Sequence, residues 1–397
     1  MHKKFLPQVL ALGVMVSCSA MAETSSTLSE ALTDSDVKLN FRLRYEDVSW
    51  DGLEDADALT LRTRLSYQSG SFHGFGLTLE FDDVHALTDV NYRTAGNDPT
   101  NPGTVIIPDP EGTEINQSYI SYTGLGITAR YGRQRIILDN QRFVGGVGWR
   151  QNEQTYDAFS VKNTSVNDLS LFYAYVFNVN RIFGEDNPIG DHKHESHLLN
   201  VNYAGWGAGT LVGYAYLLDN QNAPGLSSDT LGVRWSGKAG KAFSYNLEYA
   251  TQSEAGDHPV SYSADYLLAK ADYKIGPVSL GAGYELLGSD DGAAAFSTPL
   301  ATLHAFQGWA DRFLDTPVNG VEDIFVSVGG SAGPVKLSAT YHQLSSDVGG
   351  MDYGDEINVS AATKIGPVTV VLKVADYQAD GFGSDTQKIW LMLDSTF

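Results

Sequence analysis

The sequence predicts an all-β chain: a transmembrane, antiparallel, up-and-down β-barrel of about 18 strands, with short periplasmic turns and long extracellular loops. Three observations predict it. Apolar and polar residues alternate with a period of two along segment after segment. The apolar phases tend to end in Tyr, Phe or Trp, as at Tyr45, Tyr67, Tyr131, Tyr203, Tyr249, Tyr273, Tyr284 and Tyr341, which reads as an interfacial girdle. The connections alternate between short and long. A soluble sandwich would share only the alternation.

The first 22 residues read as an export signal. Lys3 and Lys4 form its positive region, Leu6 to Val16 its apolar stretch, and Ala20-Met21-Ala22 its small-residue cut site before Glu23. The rival, a lipoprotein cut before Cys18, has Met15 where such signals usually carry Leu. Residues 23–36 then form a short periplasmic segment, and 37–397 the outer-membrane barrel. Cys18 is the only cysteine, so a chain cut at 23 has no disulfide. Losing Lys3 and Lys4 and no acid moves the net charge from -22 to -24. That balance excludes nucleic acid as a partner, because such binding needs concentrated positive charge. No later stretch has the ~20 uncharged residues of a membrane-spanning helix.

The strands follow in order. Val37, Leu39, Phe41, Leu43 and Tyr45 alternate with Lys38, Asn40, Arg42, Arg44 and Glu46. The pattern repeats at 57–68, 75–82, 115–122, 127–133 and 154–161, then at 168–177, 195–203, 208–217, 229–235, 243–251 and 262–273. It ends with 278–286, 321–328, 335–343, 355–363, 368–377 and 387–397. With 37–49 these make 18, an even number, as a barrel with both ends in the periplasm requires; the boundaries are also compatible with 16. Tight turns such as Thr123-Gly-Leu-Gly126, Lys274-Ile-Gly-Pro277 and Lys364-Ile-Gly-Pro367 join strands at one end. Long connections at about 83–114, 134–153 and 287–320 lie at the other. The last strand, Trp390 to Phe397, ends in an aromatic residue and resembles the ending that the barrel assembly machinery reads.

A barrel of 18 strands is too wide for its own side chains to fill, so function lies in the inward phase and in loops that narrow the lumen. Of 13 arginines, 10 precede position 151. Arg42, Arg44, Arg62, Arg64 and Arg130 fall on the inward phase. Many acids fall in outer loops, so a negative chain can still have a positive pore wall that attracts anions. The opposing reading is that Glu46, Glu80, Asp82, Glu248 and Glu285 pair with these arginines and cancel their field.

In the segment 130–158, Arg133, Arg135, Arg142 and Arg150 are guanidinium forks able to grip carboxylates. Asn140, Gln141, Gln151, Asn152 and Gln154 can hydrogen-bond sugar hydroxyls, and Trp149 or Phe143 can stack on a sugar face. Gly145, Gly146 and Gly148 allow close backbone approach inside a barrel. A structural plug whose arginines bind wall acids accounts for the same residues equally well. Trp309, Asp311 and Arg312 extend the idea to the loop at 287–320.

The segment Arg130 to Ala158, with Phe296 to Pro317 (Phe-Ser-Thr-Pro-Leu-Ala-Thr-Leu-His-Ala-Phe-Gln-Gly-Trp-Ala-Asp-Arg-Phe-Leu-Asp-Thr-Pro), resembles the alginate-export family of outer-membrane barrels. The resemblance implies an 18-stranded pore with an arginine-rich lumen suited to uronate-type polyanions. It leaves the solute and the direction of transport open.

Other constellations carry less. His192-Lys-His-Glu-Ser-His197 reads as a solvated segment opening a strand rather than a metal site. The acidic loops contain no recognisable calcium loop. His73, His85, His258, His304 and His342 are scattered, with no nucleophile elbow or phosphate-cradling loop, so the sequence points away from an enzyme and implies no cofactor. The expectation is a Gram-negative outer-membrane porin passing anionic sugar-like solutes by passive diffusion, in contact with outer-membrane lipids and lipopolysaccharide. A general diffusion pore and a non-conducting surface or adhesion barrel are the alternatives.

Overall fold

Eighteen strands pair in chain order, each antiparallel to the next, and the first closes on the last. The computed structural model describes residues 25–397, so the export signal and its cut lie outside the described residues. A six-residue helix, α1 (Leu28–Thr33), comes first and carries a Thr27/Glu30 capping box.

The strands are β1 (Asp36–Trp50), β2 (Ala56–Gln68), β3 (Phe75–Ala86), β4 (Gly112–Gly124), β5 (Ile127–Gln134) and β6 (Thr155–Asn163). Next come β7 (Leu169–Asn180), β8 (Asp191–Trp206), β9 (Gly209–Leu218), β10 (Ser228–Ala239), β11 (Phe243–Glu254) and β12 (Ser263–Ile275). The last six are β13 (Val278–Leu287), β14 (Val321–Ala332), β15 (Val335–Ser345), β16 (Asp352–Ile365), β17 (Val368–Ala379) and β18 (Thr386–Thr396). Every expected strand is present, and the count is 18, not 16.

Closure is continuous. β1 and β18 pair from Asn40 opposite Thr396 to Trp50 opposite Thr386. Leu39 and Phe397 exchange two backbone hydrogen bonds, and the Phe397 ring meets Phe41 edge-on at 6.3 Å. Among the described residues no strand edge is left unpaired, which removes the aggregation hazard of an open sheet.

The alternation has the expected sense. Outward positions such as Leu65, Ile120, Leu231, Ile324, Val359 and Leu391 are exposed, as lipid-facing side chains are in a chain without its membrane. Inward positions near the long-loop end are buried, because loops fold into the bore above them. At the opposite end the connections are tight, and Gly276, Gly333 and Gly366 adopt φ near +60°, a left-handed conformation that glycine adopts without strain. By the rule for such barrels these short turns are periplasmic.

One difference from the sequence expectation is informative. β8 begins at Asp191, so the histidine-rich segment belongs to a strand, with His192 and His194 buried on its inward phase. As the expected strands at 37–49 and 57–68 require, the connection between β1 and β2 is short, only 51–55, although it lies at the long-loop end.

Candidate functional site

Three connections enter the bore from the long-loop end: 87–111, 135–154 and 288–320. They bind one another before they bind the wall. Val144 bridges Leu300, Gly145 N–H donates to the Leu300 carbonyl at 2.8 Å, and Thr302 N–H donates to the Gln141 carbonyl at 3.0 Å. Gly145 makes this approach feasible: a Cβ there would lie 2.9 Å from the Thr302 nitrogen. Tyr156, on the wall, donates its hydroxyl hydrogen to the Gly145 carbonyl at 2.7 Å.

Aromatic packing anchors the joined loops. Phe143 lies within 6 Å of Tyr214, Tyr216, Tyr266 and Phe296, at centroid distances of 5.1, 5.9, 5.3 and 5.9 Å. On the other side Trp149 stacks on His304 at 3.4 Å and meets Trp390 edge-on. The Arg44 and Arg150 guanidiniums also lie over its ring, at 4.4 and 4.1 Å. Lys373 sits over Trp309 at 3.9 Å and donates to His304 Nε2. The rings expected to stack on sugars are therefore occupied by the protein itself.

The arginines meet carboxylates one by one. Arg42 pairs with Asp394 at 2.9 Å, and Arg44 with Glu46 at 2.9 Å and Asp109 at 3.3 Å. Arg64 forks onto Asp82, with two bonds of 2.6 Å, and reaches Glu153 at 2.9 Å. Arg135 donates to Glu153 at 2.6 Å and pairs with Glu80 at 2.9 Å. Arg142 pairs with Glu285 at 2.9 Å, and Arg150 with Glu46 at 2.6 Å and Asp311 at 3.4 Å. Arg62, directly opposite Arg42 in the β1–β2 register, forms no ion pair among the described residues and donates to Asn40 Oδ1 instead. Arg130 lies over the Tyr119 ring without an acid partner among the described residues.

Burial and charge act oppositely on the loop acids. Burial would raise the Glu153 carboxyl, but the Arg135 and Arg64 guanidiniums hold it well below its ordinary value of 4.5. Asp311 behaves likewise, held down against burial by Lys388 and His304. His304 is pushed well below 6.5 by burial and by the Lys373 ammonium, so it is the neutral ring that donates from Nδ1 to Asp311 at 2.7 Å.

The expected lining residues thus sort by position. Arg42, Arg64 and Arg135 keep some exposure towards the bore (side chains 13, 11 and 27% exposed), whereas Arg44, Arg62, Arg142, Arg150 and Trp149 are buried among the packed loops. Asn140 accepts from the Arg142 N–H, and the Gln141 side chain accepts from the Thr302 hydroxyl. Arg133 is displaced altogether. It shares the outward phase of Tyr131 and pairs with Asp157 at 3.0 Å and Glu185 at 2.8 Å, near the loop-end rim. Sequence reasoning missed Glu153, whose only signal was its place within the arginine-rich segment, and His304 and Lys388 as loop anchors.

Residues 36–274, β1 through nearly all of β12, match the family described as alginate export. The chain belongs to the alginate-export family. Its fold is that of outer-membrane porins. The crystal structure of Pseudomonas aeruginosa OpdO superposes with a TM-score of 0.73 at 14% identity, covering 93% of this chain and 98% of that one. Acinetobacter baumannii OccAB2 gives 0.74 at 16%, covering 93% and 99%. Pseudomonas aeruginosa OccK9 (OpdG) gives 0.73 at 15%, covering 92% and 99%. No curated protein matches the sequence. This alginate-export-family barrel is therefore an outer-membrane, multi-pass protein of the porin type, and both its family and its fold are those of channels, not enzymes.

Proposed function

We propose that this barrel is a Gram-negative outer-membrane porin for the passive passage of small or oligomeric acidic sugars of the uronate class. The observation carrying this reading is the set of bore-facing guanidiniums, Arg42, Arg64 and Arg135, each held by carboxylates yet still partly exposed. A passing carboxylate can exchange with a resident one, because a guanidinium has five donors and these pairs leave some unused. Conduction needs binding that is weak enough to release, and a charge-balanced constriction meets that need better than a bare cationic one.

The same pairing favours a second reading, a general diffusion pore without charge preference. The separating experiment is the reversal potential of purified protein in a planar bilayer under a KCl gradient, followed by addition of oligouronate. Anion preference with current block by oligouronate supports the acidic-sugar pore. A reversal potential near zero, without block, leaves the general pore. Absence of conductance overturns both.

A further inference from the structure

Five lysines recur at one place in the fold. Lys162, Lys238, Lys274 and Lys364 are each the next-to-last residue of a strand running into a short turn, and Lys336 is the second residue of a strand leaving one. Each is on the inward phase. Lys162 stands opposite Thr128, Lys238 opposite Ser244, Lys274 opposite Ser279, Lys336 opposite Ala362 and Lys364 opposite Thr369, while their chain neighbours Ile275, Leu337 and Ile365 carry the exposed apolar phase. All five are exposed, and none forms an ion pair among the described residues. The inward acids at this end are already engaged, Asp394 with Arg42, Asp272 with Lys270 at 3.8 Å, and Asp36 with Lys38 at 2.5 Å.

The constriction differs from this mouth. Most of its arginines are matched by carboxylates, so its net field is small, whereas the inward phase of the mouth carries five lysines that no carboxylate pairs among the described residues. We infer that this periplasmic lysine ring, rather than the constriction, sets the sign of charge the pore prefers and makes its current asymmetric. The inference rests on the proposed passage of acidic solutes and names the residues that would bias it. Geometry supports the reach of the ring. Eighteen strands spaced about 4.8 Å apart and tilted by roughly 40° close into a cylinder about 36 Å across, so lysine ammonium groups reaching inward by about 6 Å lie about 12 Å from the axis. The screening length is about 10 Å at 0.1 M salt and about 3 Å at 1 M, so the field spans the mouth at low salt and vanishes at high salt. A ring at one end only also lowers the entry barrier for anions from that side alone, which rectifies the current.

The test replaces all five lysines by glutamine and measures reversal potential and current–voltage asymmetry in neutral-lipid bilayers, against the wild type and K193Q, which removes one exposed lysine near the loop-end rim. We expect the five-lysine variant to lose anion preference and rectification, and K193Q to keep both. Unchanged selectivity and rectification in the lysine variant overturn the inference even when the wild type is anion-selective. A wild type without anion preference removes the proposed function instead. Should the fivefold variant fail to fold, K162C or K336C, in a background carrying C18S, supplies the second measurement. A positively charged thiol reagent should restore the anion preference that a negatively charged one deepens the loss of, and equal effects from the two reagents overturn the ring. If selectivity responds to anionic lipid but not to these substitutions, the lysines serve headgroups and the inference fails.

Discussion

At Glu153 one carboxylate serves two guanidiniums, Arg64 and Arg135, inside the bore. Replacing it by Gln leaves both arginines short of charge, and breaking a buried pair typically costs about 3–5 kcal/mol. E153Q should loosen the 135–154 loop and shift permeability towards anions, seen as noisier single-channel currents and a displaced reversal potential. The pH response follows from the same neighbourhood. Glu153 titrates below its ordinary 4.5, so its contribution is complete above that value and is lost only as pH falls through its depressed one. His304 is held neutral, below its ordinary 6.5, so the unfolded chain takes up its proton first and stability declines as pH falls below 6.5. Conductance should therefore be steady at neutral and mildly alkaline pH, with loop fluctuations growing as pH falls below 6.5. H304F should move that onset to lower pH; an unchanged onset would place the sensor elsewhere.

At the scale of elements, the inward loops stand or fall together, since 135–154 and 288–320 share a backbone bridge at Val144 and Leu300. G145V would force a side chain against Thr302 and pry them apart, and larger conductance in an otherwise folded barrel is the expected result. This scale also separates what could be read beforehand from what could not. All strands were legible, because lipid on one side and water on the other impose a strict period. The start of β8 was not, because Asp191 to Ser196 place histidines inward and charges at the rim, leaving no apolar phase to detect. Inward arginines were legible by parity; the same parity sets Arg133 outward with Tyr131, against its reading as a lining residue, because the arginine-rich segment was read there as one loop motif rather than strand by strand. Of their partners, the wall acids Glu46, Glu80, Asp82 and Glu285 were legible by the same parity, but Asp109 on Arg44 and Asp311 on Arg150 were not, because only the infolding of the loops brings these distant positions together.

For the whole molecule, charge is distributed by height. Acids crowd the loop end, paired charges fill the constriction, and free lysines line the turn end. Raising salt from 0.1 to 1 M should abolish charge preference while leaving size exclusion intact, because a screening length of about 3 Å silences the mouth but not the packed loops. Liposome swelling with a charged and an uncharged sugar of equal size checks this directly. The closing strand belongs to this scale too. Removing Phe397 deletes two backbone bonds to Leu39 and the ring contact with Phe41. Less folded barrel in the outer-membrane fraction is the expected outcome, read by heat-dependent gel migration.

The infolding of the two loops that build the constriction has a consequence at the cell surface. Sequence spent inside the bore is hidden from anything arriving from outside. What an antibody or a bacteriophage can touch is left to rim connections, 51–55, 181–190, 219–227, 255–262, 346–351 and 380–385, together with the outer part of 87–111. These connections carry Asp51, Asp55, Asp219, Asp257, Asp347, Asp380 and Asp385, so the molecule meets its surroundings as a small acidic collar. Immune or phage pressure can reshape most of that collar without disturbing the machinery beneath it, Asp347 excepted, because its carboxylate accepts from the Ser289 N–H of the infolded loop.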